Sequence, residues 1–365
     1  MQGRGARFCA DFRAFLTDAG APTITPARRL AANARRTDEM DGAKSGELDG
    51  MTRAITFPGQ GSQAVGMGRA LADASAVARE VFEEVDEVLG QKLTRLMWEG
   101  PEDELTLTEN AQPALMAVSV AAARVLEKEG GIRLADTFAF AAGHSLGEYS
   151  ALCAVGTLSL ADTARLLKTR GQAMQKAVPA GVGAMAALLG LELEAAIEIA
   201  QEASKGPDSL CAAANDNAPG QIVISGHKDA VERACELAKT RGAKRAMLLP
   251  VSAPFHCPLM QPAAEVMADA LGKTDFAVPA IPVVTNVAAS AVEEPAQLRE
   301  MLVAQVTGMV RWRESVAWMA GEGADTFVEL GSGKVLTGLA KRIARDASSV
   351  SAGTPDEIEA LVKLL

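Results

Sequence analysis

A serine sits between two glycines in Gly143-His144-Ser145-Leu146-Gly147. On a sharp strand-to-helix turn, this G-x-S-x-G spacing lifts the serine hydroxyl clear of the sheet. The helix that follows offers unpaired backbone N–H groups and positive partial charge at its start. The N–H of Leu146 is then placed to stabilise an oxyanion beside Ser145. The competing reading is a tight turn with an incidental serine. A serine hydroxyl is barely ionised at neutral pH and needs a base, and the chain holds three histidines. His144 adjoins Ser145, and on a sharp turn its side chain points elsewhere. His227 precedes a predicted helix at Lys228–Arg241 and reads as a surface turn residue. His256 lies in Ser252-Ala253-Pro254-Phe255-His256-Cys257-Pro258, a proline-rich loop able to reach a site, and is the expected base.

Two more glycine-rich stretches invite chemistry. Gly59-Gln60-Gly61-Ser62-Gln63 follows an apolar run and, through Ala64, loosely fits the dinucleotide fingerprint. Alternatively, its glycines let the backbone approach Ser145, with the Gln60 N–H as a second oxyanion donor. Gly331-Ser332-Gly333-Lys334 suggests a phosphate loop, but the required Gly at 328 and Ser or Thr at 335 are both Val. It reads better as a turn capping a predicted helix, Val335–Arg345. Arg170 shares a predicted helix, Leu160–Val178, with Arg165, Lys168 and Lys176. From the sequence alone it reads as one of several solvated cations.

The elements that must position these residues alternate. Ala54–Phe57 and Thr137–Ala142 are predicted strands, the second ending at the G-x-S-x-G turn. Apolar periodicity predicts helices over Asp73–Gly90 and Ala111–Glu129. Such alternation favours a mostly parallel sheet with helices on both faces, an α/β fold. Residues 182–251 read as a separate unit of order βαββαβ, the ferredoxin-like pattern. Its second and third strands, Leu210–Ala214 and Gln221–Ser225, are joined by a predicted turn at Asn215–Gly220. The alternation then resumes, with strands at Ile281–Thr285 and Thr326–Leu330. Thr354-Pro-Asp-Glu357 carries a capping-box signature for a last helix.

Composition excludes several classes. The 365 residues carry 36 Lys+Arg against 46 Asp+Glu, a net charge of −10. General nucleic-acid binding needs a basic field and is not expected. Five scattered cysteines without a CxxC pair argue for a reducing compartment and no metal centre. No apolar run reaches the ~18 residues of a spanning helix. A cytoplasmic protein without a membrane partner is expected. Residues 1–36 carry seven Arg and no Lys, and 37–50 carry five acids, neither with sustained apolar periodicity. Residues 1–50 therefore read as a disordered extension with Met51 as a candidate start. Organelle targeting is the lesser alternative.

Taken in order, GQGSQ (59–63), GHSLGEYSAL (143–152), Arg170 in KTRGQAMQ (168–175), NDNAPGQIVISG (215–226), APFHC (253–257) and GSGKVLTGL (331–339) are similar to malonyl-CoA:acyl carrier protein transacylases. The resemblance covers residues 51 to about 345. It implies an α/β-hydrolase-like large domain, residues 51–181 and 252–365, with the ferredoxin-like domain 182–251 inserted. It implies ping-pong acyl transfer through a malonyl ester on Ser145, with His256 as base and the Gln60 and Leu146 N–H groups as oxyanion hole. It also implies that the backbone carbonyl of Gln305 orients His256, so replacing Gln305 by Ala is expected to leave activity nearly intact. Arg170 would clamp the malonyl carboxylate. Phe255 would favour malonyl over methylmalonyl, a methyl group being worth about 1–3 kcal/mol. His144, Asn215 and Asn217 would stand on the substrate side. No cofactor is implied, since the CoA thioester is itself a substrate.

The implied partners are malonyl-CoA and an acidic acyl carrier protein, which requires a local basic patch on this acidic enzyme. Its expected sources are the cations of the predicted helices Leu160–Val178 and Val335–Arg345. A monomer is expected. The alternative is a serine esterase or thioesterase of the α/β-hydrolase type. It would want an acid between serine and histidine in chain order, and would not need Arg170.

Overall fold

The computed structural model describes residues 52–179, 181–251 and 253–365. The expected extension over 1–50, and Met51 as a start, lie outside the described residues. Among them the strands are β1 Thr52–Phe57, β2 Phe140–Gly143, β3 Gly183–Leu189, β4 Cys211–Ala218, β5 Gln221–His227, β6 Arg245–Leu249, β7 Val283–Val284, β8 Ala291–Val292, β9 Ala324–Leu330 and β10 Ser348–Ala352. They form two sheets, β10-β9-β1-β2-β7-β8 and β4-β5-β3-β6.

The six-stranded sheet is parallel except for its edge strand β8. β1 is central and buried from Arg53 onward, as a strand covered on both faces must be. The predicted strand Thr137–Ala142 starts later than its apolar pattern suggests. Leu134–Thr137 is a helical turn, and pairing with β1 begins only at Phe140 opposite Ala54. The single helix predicted over Asp73–Gly90 is two, Arg69–Ala74 and Ala76–Leu89. Ser75 breaks it in an extended conformation, its side-chain oxygen accepting from Ala78 N at 3.0 Å. A serine that caps the backbone competes with helix continuation, and apolar periodicity does not register that competition.

The four-stranded sheet is antiparallel, with helices Leu193–Ala203 and Lys228–Thr240 in the order βαββαβ. Alternation along β3 divides its side chains between two cores. Ala186 and Leu188 pack with those two helices, while Met185, Ala187 and Leu189 join the core of the larger sheet. The predicted turn Asn215–Gly220 is shorter than expected. β4 continues to Ala218, leaving Pro219-Gly220 as the link to β5. What braces β4, whose register against β5 shifts twice between Ala213 and Ala218, is distant in sequence. Val310 N donates to Ala214 O at 2.9 Å, and Asp216 N to Val310 O at 2.9 Å. Arg313 Nε donates to the buried Asp216 carboxylate at 2.7 Å. Asn215 and Asn217 therefore sit on a braced strand where the two sheets meet.

Candidate active site

Phe57 and Gly143 end their strands side by side, and the chain turns sharply beyond them. Ser145 has φ 54° and ψ −111°, a conformation that non-glycine residues rarely adopt. The glycines on either side are forced by backbone approach. A Cβ on Gly143 would lie 1.9 Å from the Gly147 carbonyl carbon, and one on Gly147 would lie 2.2 Å from Phe57 O. Asn286, just past β7, straps the turn. Its Oδ1 accepts from Ser145 N at 2.7 Å and its Nδ2 donates to Gly143 O at 2.7 Å. Leu146 opens the helix Leu146–Ala154, so its N–H has no carbonyl one turn back.

His256 Nε2 lies 2.8 Å from Ser145 Oγ, and His256 Nδ1 lies 2.9 Å from Gln305 O. A carbonyl can only accept, so Nδ1 carries the proton and Nε2 is left to accept from the serine hydroxyl. Gln305 O stands where an esterase triad would place a carboxylate. Burial, followed by the charge of Arg170, pushes the His256 pKa down to about 3. The ring is therefore a neutral base at physiological pH.

Arg170 is not a solvated surface cation. It is 1% exposed, on the inner face of the helix Leu160–Ala177. Its Nη2 donates to Ser145 Oγ at 3.1 Å and to Gln305 Oε1 at 2.8 Å, and its Nη1 donates to Gln112 Oε1 at 2.7 Å. Its neighbour Arg165 instead pairs at the surface with Asp162, and the partly buried Lys168 with Glu109. Apolar periodicity cannot separate the buried cation from the exposed ones, because a long polar side chain counts against burial wherever it points.

The other expected residues line the same cavity. Gln60, Leu146, Phe255, Asn215, Asn217 and His144 all face it. His144 Nε2 lies 2.8 Å from Asn217 Oδ1, so the small sheet reaches the residue next to the serine. A Cβ on Gly59 would fall 2.6 Å from His144 O. The glycine there serves close approach to the serine turn. The next helix starts only at Arg69, too late for a pyrophosphate to rest on its N-terminus, and the dinucleotide reading fails. His227 accepts from Leu210 N through Nδ1 at 3.0 Å, away from the site. Gly331–Lys334 is a brace, with Ser332 Oγ donating to Ser62 O at 2.8 Å. Glu329 caps the helix that follows, accepting from Leu336 N and Thr337 N. Among the described residues no three His, Cys, Asp or Glu side chains converge as metal ligands.

Three residues of the site escaped the sequence reading: Gln112, Glu148 and Asn286. Glu148 left a signal, an acid inside an otherwise apolar and wholly buried first turn. Its carboxyl is pushed up to about 7 by burial. Gln112 and Asn286 have ordinary local surroundings and are recruited only by the packing of distant elements.

The Gln305 side chain was also missed. Its Nε2 donates to Ser145 O at 3.0 Å and to Glu148 Oε2 at 3.0 Å, while its Oε1 faces Arg170. The expectation that only its backbone matters does not fit this geometry.

Residues 55–358 match the protein family described as acyl transferase domain. The malonyl CoA-acyl carrier protein transacylase of Bacillus subtilis is 47% identical over 314 residues, covering 86% of this chain and 96% of that protein. The crystal structure of an acyl-carrier-protein-S-malonyltransferase from Bartonella henselae superposes with TM-score 0.84 at 54% identity, covering 86% of this chain and 99% of the other. A type II PKS acyl-carrier protein in complex with its malonyl-transacylase gives TM-score 0.82 at 42% identity, covering 86% and 100%.

Proposed function

The chain belongs to the acyl transferase family, among the malonyl CoA-acyl carrier protein transacylases, and we propose that it moves a malonyl group from malonyl-CoA to the phosphopantetheine thiol of acyl carrier protein. One observation carries the choice of acyl group. A buried guanidinium, Arg170, stands 3.1 Å from the Ser145 hydroxyl. A planar guanidinium can take a carboxylate through two parallel hydrogen bonds. An esterase for neutral acyl groups has no use for a cation there.

His256 Nε2 takes the proton from Ser145 Oγ as the oxygen attacks the thioester carbonyl carbon. The tetrahedral oxyanion is held by the Gln60 and Leu146 N–H groups. The carbon–sulfur bond breaks, the CoA sulfur leaves with the proton returned by His256, and a malonyl ester remains on Ser145. The carrier thiol then gives its proton to His256 and attacks the ester. Ser145 leaves with that proton, and the chain is restored. Gln305 O holds the ring in the tautomer that both halves require. Arg170 keeps the acyl group in place between them. Phe255, Asn215, Asn217 and His144 shape the substrate side of the cavity. No cofactor enters, since CoA arrives and leaves with the substrate.

The same reading takes residues 51–181 and 252–365 as an α/β-hydrolase-like domain and 182–251 as a ferredoxin-like insertion. The strand–turn–helix at Ser145 and the antiparallel order β4-β5-β3-β6 support it. The carrier protein would dock beside the helix Val335–Ile343, whose Val335, Leu336 and Leu339 line the cavity and which carries exposed Lys341. The enzyme works as a monomer in the cytoplasm, without nucleic-acid or membrane partners. The net charge of −10 argues against a nucleic-acid partner, and the free buried thiols of Cys153, Cys211, Cys235 and Cys257 fit a reducing compartment.

Intact-mass measurement after incubation with malonyl-CoA tests the proposal. A malonyl adduct absent from Ser145→Ala, and discharged by holo carrier protein, is the expected result. Free malonate as the main product would favour the esterase.

A further inference from the structure

Glu148 is fully buried in the helix that follows Ser145, and the acyl-transfer steps give it no task. Its Oε2 accepts from Asn286 N at 2.8 Å and from Gln305 Nε2 at 3.0 Å. The two ends of a glutamine amide are almost the same shape, so surrounding donors and acceptors decide which way it points. Around Gln305 the division is clear. Toward the interior it meets acceptors, Glu148 Oε2, Ser145 O and, at 3.4 Å, Asn286 Oδ1. Toward the cavity it meets a donor, Arg170 Nη2 at 2.8 Å. Turned round, its NH2 would face the guanidinium and its oxygen a carboxyl group. Gln112 Oε1 holds the other guanidinium nitrogen at 2.7 Å. Arg170 is thus suspended between two amide oxygens.

We propose that Glu148 is a positioning residue: it fixes the direction of the Gln305 amide, which holds the Arg170 guanidinium ready for the free carboxylate of the acyl group. The proposal rests on the malonyl reading of the site. Glu148 touches neither substrate nor reacting atoms, and selects a carboxylate-bearing acyl group at one remove. An acceptor oxygen is all it must supply. The Asn286 N–H, the Gln305 NH2 and the charge of Arg170 all face that oxygen, and a protonated carboxyl still presents its carbonyl oxygen to them.

Two substitutions separate acceptor from bulk. Glu148→Gln keeps an oxygen that both donors can use; Glu148→Met keeps the length and removes it. KM and kcat are measured with malonyl-CoA and with acetyl-CoA, alongside thermal unfolding. The Met variant should raise KM for malonyl-CoA about tenfold, the scale of one lost charge-assisted hydrogen bond, and lower the malonyl-to-acetyl ratio of kcat/KM with it. The Gln variant should keep the wild-type malonyl-to-acetyl ratio. A Met variant with the wild-type ratio overturns the proposal, as does a Gln variant impaired as badly as Met. Should the Met variant not fold, Gln305→Met removes the same amide and must show the same fall in ratio; an unchanged ratio overturns the idea. Failure of the wild-type chain to form a malonyl adduct would instead sink the malonyl reading.

Discussion

Arg170 Nη2 donates to Ser145 Oγ across 3.1 Å, so a buried cation touches the hydroxyl of the serine turn. Hydroxyl and guanidinium thus meet at one point of the cavity.

Replacing Arg170 by Ala should therefore weaken malonyl transfer far more than acetyl transfer. Two charge-assisted hydrogen bonds at about 1.5–3 kcal/mol each put the malonyl loss at roughly a hundredfold or more in kcat/KM. Acetyl offers no carboxylate and should change by much less. Equal losses for the two donors would reduce Arg170 to a structural group.

The acid limb of the acylation profile should lie well below the ordinary imidazole value. Burial, then the Arg170 charge, holds His256 near a pKa of about 3. The free enzyme's base thus stays unprotonated as pH falls through about 6.5, and kcat/KM should stay flat down to about pH 5. Removing the cation with Arg170→Met favours the imidazolium and should move the limb upward, read with acetyl-CoA as donor. The comparison belongs in a Glu148→Gln background, because Glu148 is itself raised to about 7. A wild-type limb at the ordinary imidazole value would contradict it.

Gln305→Ala should cost activity, although the backbone carbonyl that meets His256 Nδ1 survives the change. The substitution deletes the bonds to Arg170, Ser145 O and Glu148 together. Buried groups left unsatisfied cost about 1–3 kcal/mol each, so a drop of at least about tenfold in malonyl transfer is expected. Steady-state kinetics within about twofold of wild type would show that only the carbonyl matters.

Gly147→Ala should damage folding and catalysis together. Its Cβ would meet the backbone of Phe57 at 2.2 Å, in a part of the sheet that cannot give way. Overpacking of this kind costs about 1–3 kcal/mol or more, visible as a lower urea midpoint. A variant with wild-type stability and full acylation would mean that the turn relaxes freely.

Much of the architecture was legible in the chain itself. The α/β alternation, the βαββαβ unit and the G-x-S-x-G turn rest on local signals: hydrophobic period, glycine, and helix starts. His256 was reachable by elimination among three histidines. Element edges were less legible where a hydroxyl or a distant strand decides them, as at Ser75 and at the start of β2. So was the extent of β4, which Val310 and Arg313 hold in place from nearly a hundred residues away.

Sequence alone therefore determined the serine turn, the histidine that meets it and the order of the elements, because each leaves a mark within a few residues. Tertiary structure decided which of four cations on one helix is buried, and which way the Gln305 amide points. It also decided that Asn286 and Glu148 belong to the site. Those properties depend on donors and acceptors up to 160 residues apart, brought within hydrogen-bonding reach only when the strands of the parallel sheet lie side by side.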